Sequence, residues 1–252
     1  MGPYKTLPSK GSSSISPVPY MLYGLHTVKN ALKNKARYHK KLHFRDQYEK
    51  KFIPLANQYQ IKWQSHPREW FEKHFEHDVH QHIALETLPL DLQRGEDFLN
   101  QDRDILLLDG ISDPRNIGAL IRSCAAFGFG ALIQKKIGVV RESPAMAKAA
   151  SGGLEYVKMG VVSNLSRFVE KAKRKDFWCV GLANDAQMTV TRYDWSDKII
   201  LCVGSEGSGL RPNLQSHLDQ MLKIEQLNHA GHSINASVAG AIAMCARFCY
   251  KK

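Results

Sequence analysis

No stretch of this sequence stays apolar for the twenty or so residues that a bilayer crossing requires. The N-terminus lacks the hydrophobic run of a secretory signal, and residues 1–19, rich in Ser, Pro, Gly and Lys, are expected to be a disordered tail. Met1-Gly2 with Thr6 fits a myristoylation pattern only formally, because Pro3 follows at once. The five cysteines (Cys124, Cys179, Cys202, Cys245, Cys249) include no Cys-x-x-Cys pair. Most lie in apolar runs, as buried thiols do, and a reducing, cytoplasmic location is expected. Acidic residues are scarce beside basic ones: 24 Asp and Glu stand against 35 Lys and Arg, a net charge of +11. That excess points to a polyanionic partner, nucleic acid first and an anionic membrane surface second. There is no internal repeat. With 43% hydrophobic and 23% charged residues, the chain otherwise has the make-up of an ordinary globular protein of one or two domains.

What is present divides into two parts. Order is expected from about Tyr20, with a helix over His26–Asn34, a strand at Lys41–Arg45 and a helix over Tyr48–Tyr59. A strand at Ile61–Gln64, a helix opened by Pro67 and running to about His74, and a strand at His80–Glu86 complete a small α/β unit over residues 20–88. Lys33, Arg37, Lys40, Lys41 and Arg45 interleave there with Tyr38, Phe44 and Tyr48. Basic residues among aromatics suit RNA contact, although a charge run is also the ordinary make-up of a solvated helix face. His74, His77, His80 and His82 have the residue types of a metal site, but their spacing matches no zinc pattern, and surface histidines with no metal are expected. Residues 89–101, polar with Gly95, have the composition of a linker.

From 102 to 252 strands and helices alternate, which predicts a mostly parallel sheet. Strands are expected at Ile105–Leu108, Phe129–Ile133, Val157–Val162, Trp178–Ala183, Ile199–Val203 and Met221–Ile224. Asp113 is placed to cap a helix with Pro114 in its first turn; further helices are expected from Pro144, over Leu165–Lys175, near Pro212, and from Ser233 to about Tyr250. The apolar run Ile199–Val203 breaks into Gly204-Ser205-Glu206-Gly207-Ser208-Gly209. Such a loop can cradle a ligand, since glycine lets backbone approach closely. Its spacing fits neither the dinucleotide fingerprint nor the P-loop, and a carboxylate at its centre would repel a pyrophosphate. The ligand expected there is not chiefly anionic.

Three polar islands stand at the ends of apolar strands, where ligands bind in open α/β sheets. They are Asn116-x-Gly118-x-x-x-Arg122, Gly204-x-Glu206-x-x-Gly209 and Ser233-Ile234-Asn235-Ala236-Ser237. In that order they resemble the three motifs of the SpoU/TrmH family of RNA ribose 2′-O-methyltransferases. Ala149-Ala150-Ser151-Gly152-Gly153-Leu154-Glu155 is similar to the family's link between the first two. Tyr23-Gly24-Leu25-His26 and Val79-His80-Gln81-His82 resemble the ends of a small ribosomal-protein-like domain that precedes it. The resemblance implies a SPOUT domain with a parallel sheet and a trefoil knot, a homodimer, and S-adenosyl-L-methionine as methyl donor. It implies Arg122, Asn116, Glu206, Ser233 and Asn235 as the catalytic set, and Gly204, Ile224, Ile234, Gly209 and Leu182 around the cofactor. A sulfonium and an α-amine are cationic, which suits Glu206.

The implied substrate is a guanosine ribose of large-subunit ribosomal RNA; a tRNA enzyme of the same family and a non-catalytic RNA-binding or ribosome-assembly protein are the alternatives. A guanidinium resists deprotonation, so Arg122 is expected to clamp phosphate and stabilise a negative oxygen, oriented by the other four, rather than act as a base. Two departures from the family pattern stand out. Ile224-Glu225-Gln226-Leu227 replaces an Ile-Pro-Met segment, which bears on cofactor affinity, and His82 replaces a glycine, which bears on the RNA chosen.

Overall fold

The computed structural model describes residues 18–75, 79–195, 197–227 and 234–251. The expected tail lies outside them except for Val18 and Pro19. The N-terminal unit begins with a strand the sequence did not announce, β1 (Tyr20–Tyr23), followed by α1 (Leu25–Lys33), β2 (His39–Arg45), α2 (Glu49–Gln58), β3 (Trp63–His66), α3 (Arg68–Phe75) and β4 (Ile83–Thr87). The sheet order is β1-β4-β2-β3, antiparallel except for β2 against β3. Leu42 and Phe44 alternate with polar neighbours along β2 and are fully buried, as a strand with one face on a core requires.

Before β4 the chain turns through two consecutive left-handed residues, Gln81 at φ 52 and His82 at φ 55. The Gln81 side-chain oxygen accepts the Leu25 N–H at 2.8 Å, at the start of α1, and the His82 ring stacks on Tyr48 with centroids 5.9 Å apart. His82 therefore adopts the conformation that glycine, its counterpart in the family pattern, takes without strain.

The second unit contains β5 (Gln93–Arg94), β6 (Ile105–Asp109), α4 (Pro114–Phe127), β7 (Ala131–Lys135), α5 (Pro144–Ala150), β8 (Lys158–Val162), α6 (Leu165–Lys173), β9 (Trp178–Leu182), β10 (Met188–Thr189), β11 (Ile199–Gly204), α7 (Pro212–Gln215), β12 (Gln220–Lys223) and α8 (Ala236–Tyr250). Eight strands form one parallel sheet in the order β10-β12-β9-β11-β6-β7-β8-β5. Its centre, β6 and β11, is buried at every residue, the unbroken apolar pattern of a strand covered on both faces. The helix starts follow the sequence signals: Asp113 accepts the Arg115 N–H at 2.9 Å with Pro114 in the first turn, and Ser143 caps α5 in the same manner.

The linker expectation is corrected. Residues 89–101 are not a free linker: β5 pairs with β8 at the sheet edge, and the following 3₁₀ turn sinks Phe98 and Leu99 into the core of the second unit. An edge strand keeps its side chains wet, so polar composition there hides a structured segment.

The two units share a core. α5 packs on β1 and α1, and one apolar cluster joins Leu22, Val28 and Leu85 to Met146 and Ala147. Across this seam lies Arg37, which is 2% exposed. Its guanidinium pairs with Glu142 at 2.8 Å and Glu155 at 2.7 Å and donates to the Leu88 carbonyl at 3.2 Å. Burial opposes the charge, but the two carboxylates outweigh it and raise the pKa. Arg37 was expected on the RNA surface; being spent inside, it is removed from that set. Lys33 and Lys40 are exposed, Lys40 within reach of Glu86, while Lys41 and Arg45 are partly covered. Replacing Arg37 with alanine leaves two buried carboxylates unpaired. Chemical unfolding of Arg37→Ala should show a loss of about 3–5 kcal/mol; an unchanged midpoint would mean that the pair holds nothing.

The histidines make a second buried polar feature. His43 Nδ1 lies 2.9 Å from His66 Nε2, and Trp70 stacks between His66 and His74 at 3.9 and 4.1 Å. Burial first, then the neighbouring His66, pushes His43 down to about 4. Because the unfolded chain takes up this proton first, the stability is full above about pH 6.5 and is lost as pH falls toward 4. Urea unfolding followed by tryptophan fluorescence should lose roughly 3 kcal/mol over that window, and the slope should flatten in His43→Asn. Among the described residues no group of three or more His, Cys, Asp or Glu could hold a metal; His77 lies outside them.

Candidate functional site

The carboxyl ends of β6, β9, β11 and β12 open onto one side of the sheet, and the polar islands gather there. β6 lies between β11 and β7, the point where the strand order turns back, and such a switch point is the usual place for a ligand crevice. A cleft of about 340 Å³ runs along the loop after β11, within the ordinary range for small-molecule pockets. Leu182, Gly204, Gly209, Ile224 and Ile234, the residues expected around a cofactor, all line it. Val203, Leu222 and Ala236 add apolar wall, and Asn184, Asp185 and Glu206 supply polar groups.

Gly204 sets the shape of this cleft. A Cβ on it would lie 2.1 Å from the Gly209 carbonyl carbon and 2.3 Å from the Leu210 nitrogen, so backbone passes backbone where no side chain fits. Gly209 turns at φ 64, its N–H bonded to the Ser205 carbonyl at 2.9 Å, and Ser205 and Ser208 share a hydroxyl hydrogen bond at 2.8 Å. The loop is clipped from outside by Asp109, 1% exposed at the end of β6. Its carboxylate accepts the Arg211 backbone N–H at 2.9 Å and Arg211 Nε at 2.7 Å. The sequence reading missed Asp109 and Arg211; the available signal was a carboxylate ending the buried run Ile105-Leu106-Leu107-Leu108. Asn184 and Asp185, also missed, carry the same signal at the end of β9.

At the lip of the cleft, three residues far apart in sequence form a hydrogen-bonded triangle. Asn116 Nδ2 donates to Glu206 Oε1 at 2.8 Å, Asn235 Nδ2 donates to the same oxygen, and Asn235 Nδ2 reaches Asn116 Oδ1 at 3.3 Å. Asn235 also begins α8, its Oδ1 accepting the Ser237 N–H at 2.8 Å and the Ser237 hydroxyl at 2.6 Å. One side chain thus starts the last helix and anchors the carboxylate. Glu206 Oε2 makes no hydrogen bond among the described residues, so a second acceptor faces the lip. Ser233 lies outside the described residues.

Arg122 is not part of the triangle. It stands six residues beyond Asn116 on α4, which at about 100° per residue turns it to a different face. It is exposed in a shallow apolar groove between α4 and α8, with Ala119, Phe127, Ser237, Val238 and Ile242. The expectation that Asn116, Glu206 and Asn235 orient its guanidinium is therefore not met within this chain. Arg122 and the triangle instead meet the same first turn of α8, where Asn235 joins the triangle and Ser237 and Val238 line the groove that holds Arg122. Among the described residues Arg122 has no hydrogen bond or ion pair, so its charge is available to a ligand.

A model of the SpoU rRNA methylase family matches residues 104–245, and a model for RNA 2′-O ribose methyltransferase substrate binding matches residues 21–93. The 23S rRNA (guanosine-2′-O-)-methyltransferase RlmB of Acinetobacter baylyi is 32% identical over 237 residues, 90% of this chain and 95% of its own. That of Pseudomonas syringae pv. tomato is 29% identical over 238 residues, 88% of this chain and 92% of its own. Among solved structures, the SpoU methyltransferase AviRb of Streptomyces viridochromogenes, in complex with AdoMet, shares the fold. Its TM-score is 0.76 at 17% identity, covering 92% of this chain and 90% of that one.

The glycine loop permits a paired test by titration calorimetry with S-adenosylmethionine. In Gly204→Ala, where backbone must move, affinity should fall by tenfold or more, about 1.4 kcal/mol. Gly207→Ala, whose added Cβ meets nothing within 4 Å, should bind as the parent does. Equal affinities in the two variants would dismiss the close approach as the basis of the cleft.

Proposed function

The chain belongs to the SpoU rRNA methylase family and is an RNA 2′-O-ribose methyltransferase, and we propose that it methylates the ribose 2′-hydroxyl of a guanosine in large-subunit (23S) rRNA, with S-adenosyl-L-methionine as donor. The observation that carries this reading is the Asn116–Glu206–Asn235 triangle at the lip of a glycine-walled cleft. The rRNA substrate is supported by the relatives, which span both units.

The cleft fits the cofactor on its own chemistry. Its apolar walls and the side-chain-free strip at Gly204 suit a flat adenosyl group, and Glu206 offers a carboxylate to a cationic partner. Leu182, Gly204, Gly209, Ile224 and Ile234 would hold it. When bound, it supplies an electrophilic methyl group on a sulfonium centre. The protein's own task is to bring a ribose oxygen in line with that methyl and to stabilise the charge that develops. Positioning two reactants accounts for much of the acceleration in such a reaction. Two amides fix Glu206, leaving Oε2 to orient a ribose or a cation. Arg122, across the start of α8, is assigned to the RNA phosphate and to the oxygen that becomes negative. Ser233 is assigned with them on the resemblance alone.

The finer architecture is proposed on these supports. Ile234, Ala236 and Ala239 line the same cleft as the Gly204 loop, as they would in a trefoil knot where the C-terminal segment threads that loop. The four-stranded first unit takes the part of a ribosomal-protein-like RNA module. α8 is apolar over most of its surface, its one charge Arg247 being buried against Asp104, and Val238 is 48% exposed in a groove with Ala241, Ile242 and Cys245; a second copy of the chain, pairing by a two-fold axis, is the proposed cover. No helix among the described residues is long and apolar enough to cross a membrane; a cytoplasmic site of action follows from the rRNA substrate.

Tritiated methyl transfer into unmodified 23S rRNA tests the assignment. Arg122→Ala should lower kcat by about 10²–10³, with S-adenosylmethionine affinity within twofold of the parent. Near-normal methylation by that variant would remove Arg122 from the mechanism, and transfer into tRNA alone would overturn the substrate.

A further inference from the structure

β7 ends on the same carboxyl edge as β6, its neighbour in the sheet, and the loop from β7 to α5 holds an aliphatic side chain for which the fold has no use. Ile137 is 81% exposed at the tip, where Gly138 turns at φ 79. The base of this loop is pinned. Gln134, 4% exposed, donates Nε2 to the Val140 carbonyl at 3.1 Å and accepts the Val140 N–H at 3.1 Å. A buried amide satisfied on both sides by one residue holds the tip out in water and keeps it from folding onto the adjacent core.

The charges around the tip have one sign. Lys136 and Arg141 are exposed and Lys135 is partly so; among the described residues no hydrogen bond or ion pair engages any of the three side chains. The next carboxylate along the chain, Glu142, is turned inward onto Arg37. Lys135 also borders a small cleft with Arg211, Ser166 and Asn213. A stiff loop with an apolar tip and three cations unpaired among the described residues matches one kind of surface well: a nucleic-acid strand, whose phosphates take the cations and whose unstacked bases accept an aliphatic wedge.

We propose that residues 135–141 form a contact element for the substrate RNA, with Ile137 packed against unstacked bases and Lys135, Lys136 and Arg141 on the flanking phosphates. The proposal rests on the RNA methyltransferase reading above and adds to it a contact made by the methyltransferase unit itself, on the carboxyl edge of its sheet rather than in the N-terminal unit.

The test uses the full chain, S-adenosylmethionine and an unmodified 23S rRNA transcript. Ile137→Ser should raise the KM for RNA about tenfold, with kcat and S-adenosylmethionine affinity within twofold of the parent and an unchanged Tm. Ile137→Met should restore the parent KM. The double variant Lys136→Gln/Arg141→Gln should reduce the slope of log affinity against log salt by about 1–2, as the loss of one or two phosphate contacts demands. If both variants bind the transcript as the parent does by fluorescence anisotropy, with the same salt slope, the loop does not touch RNA, the proposal is overturned, and a protein partner becomes its occupant. If the parent chain binds the transcript but transfers no methyl group to it, the functional reading fails while the anisotropy comparison still decides the loop.

Discussion

Arg37 between Glu142 and Glu155 is the contact on which the arrangement of the two units depends. Three charges have been removed from water, and what makes this tolerable is that the remaining valences are filled: Asn34 donates to Glu155 at 2.6 Å, the Leu90 N–H to Glu142 at 2.7 Å, and the Tyr20 hydroxyl also to Glu142. A buried ion pair adds little net stability over an apolar substitute, and its value lies in the one geometry it accepts. Here that geometry is passed on. Glu142 and Glu155 bracket α5, and α5 lies so close to α4 that a Cβ on Gly118 would come within 2.4 Å of the Met146 carbonyl. Two residues before Gly118 is Asn116. The first unit is therefore registered to the triangle through the two ion pairs of Arg37 and one helix contact, with little slack at either step.

That chain of contacts explains what the sequence could and could not reveal. The polar islands at strand ends were legible because each depends on local signals: an apolar run that stops, a glycine where backbone must pass, an asparagine before a helix. Their meeting at one lip follows from the parallel topology, which the alternation of strands and helices announces. Arg37 was not legible in this way. In a run of lysines its composition is that of a solvated surface, and only the tertiary position of two carboxylates more than a hundred residues away draws it inside. The segment 89–101 misled for a related reason: at a sheet edge, polar side chains cost nothing, so composition cannot separate a strand from a linker. Arg122 was identified as a residue but misplaced in its contacts, since motif spacing does not say what lies opposite the face of α4 that a side chain six positions on will take.

Glu206 shows how far a single charge can carry such reasoning. A carboxylate in a glycine loop argues against an anionic ligand on charge alone, and the geometry strengthens the point. Two amide donors on one oxygen hold the carboxylate oriented, and the other oxygen is left to what enters the cleft. The same asparagine that fixes it caps α8, so disturbing the helix start and disturbing the acid are the same event. This coupling places the most exacting geometry of the site on a helix terminus and a backbone crossing rather than on flexible side chains.

The excess of positive charge, finally, is not one property but two. In the first unit Lys40 lies against Glu86 and Arg37 is consumed inside, so part of the basic run serves the fold. On the carboxyl edge of the second unit the side chains of Arg115, Arg122, Lys135, Lys136 and Arg141 make no ion pair among the described residues, while Asp109 and Glu142 are committed to Arg211 and Arg37. Counting charges along the sequence would place the RNA on the first unit alone. Subtracting those already neutralised moves the balance toward the edge where the ribose must arrive. A long polyanion drawn by unpaired cations would then lie along that edge, met by the first unit and by the loop at Ile137.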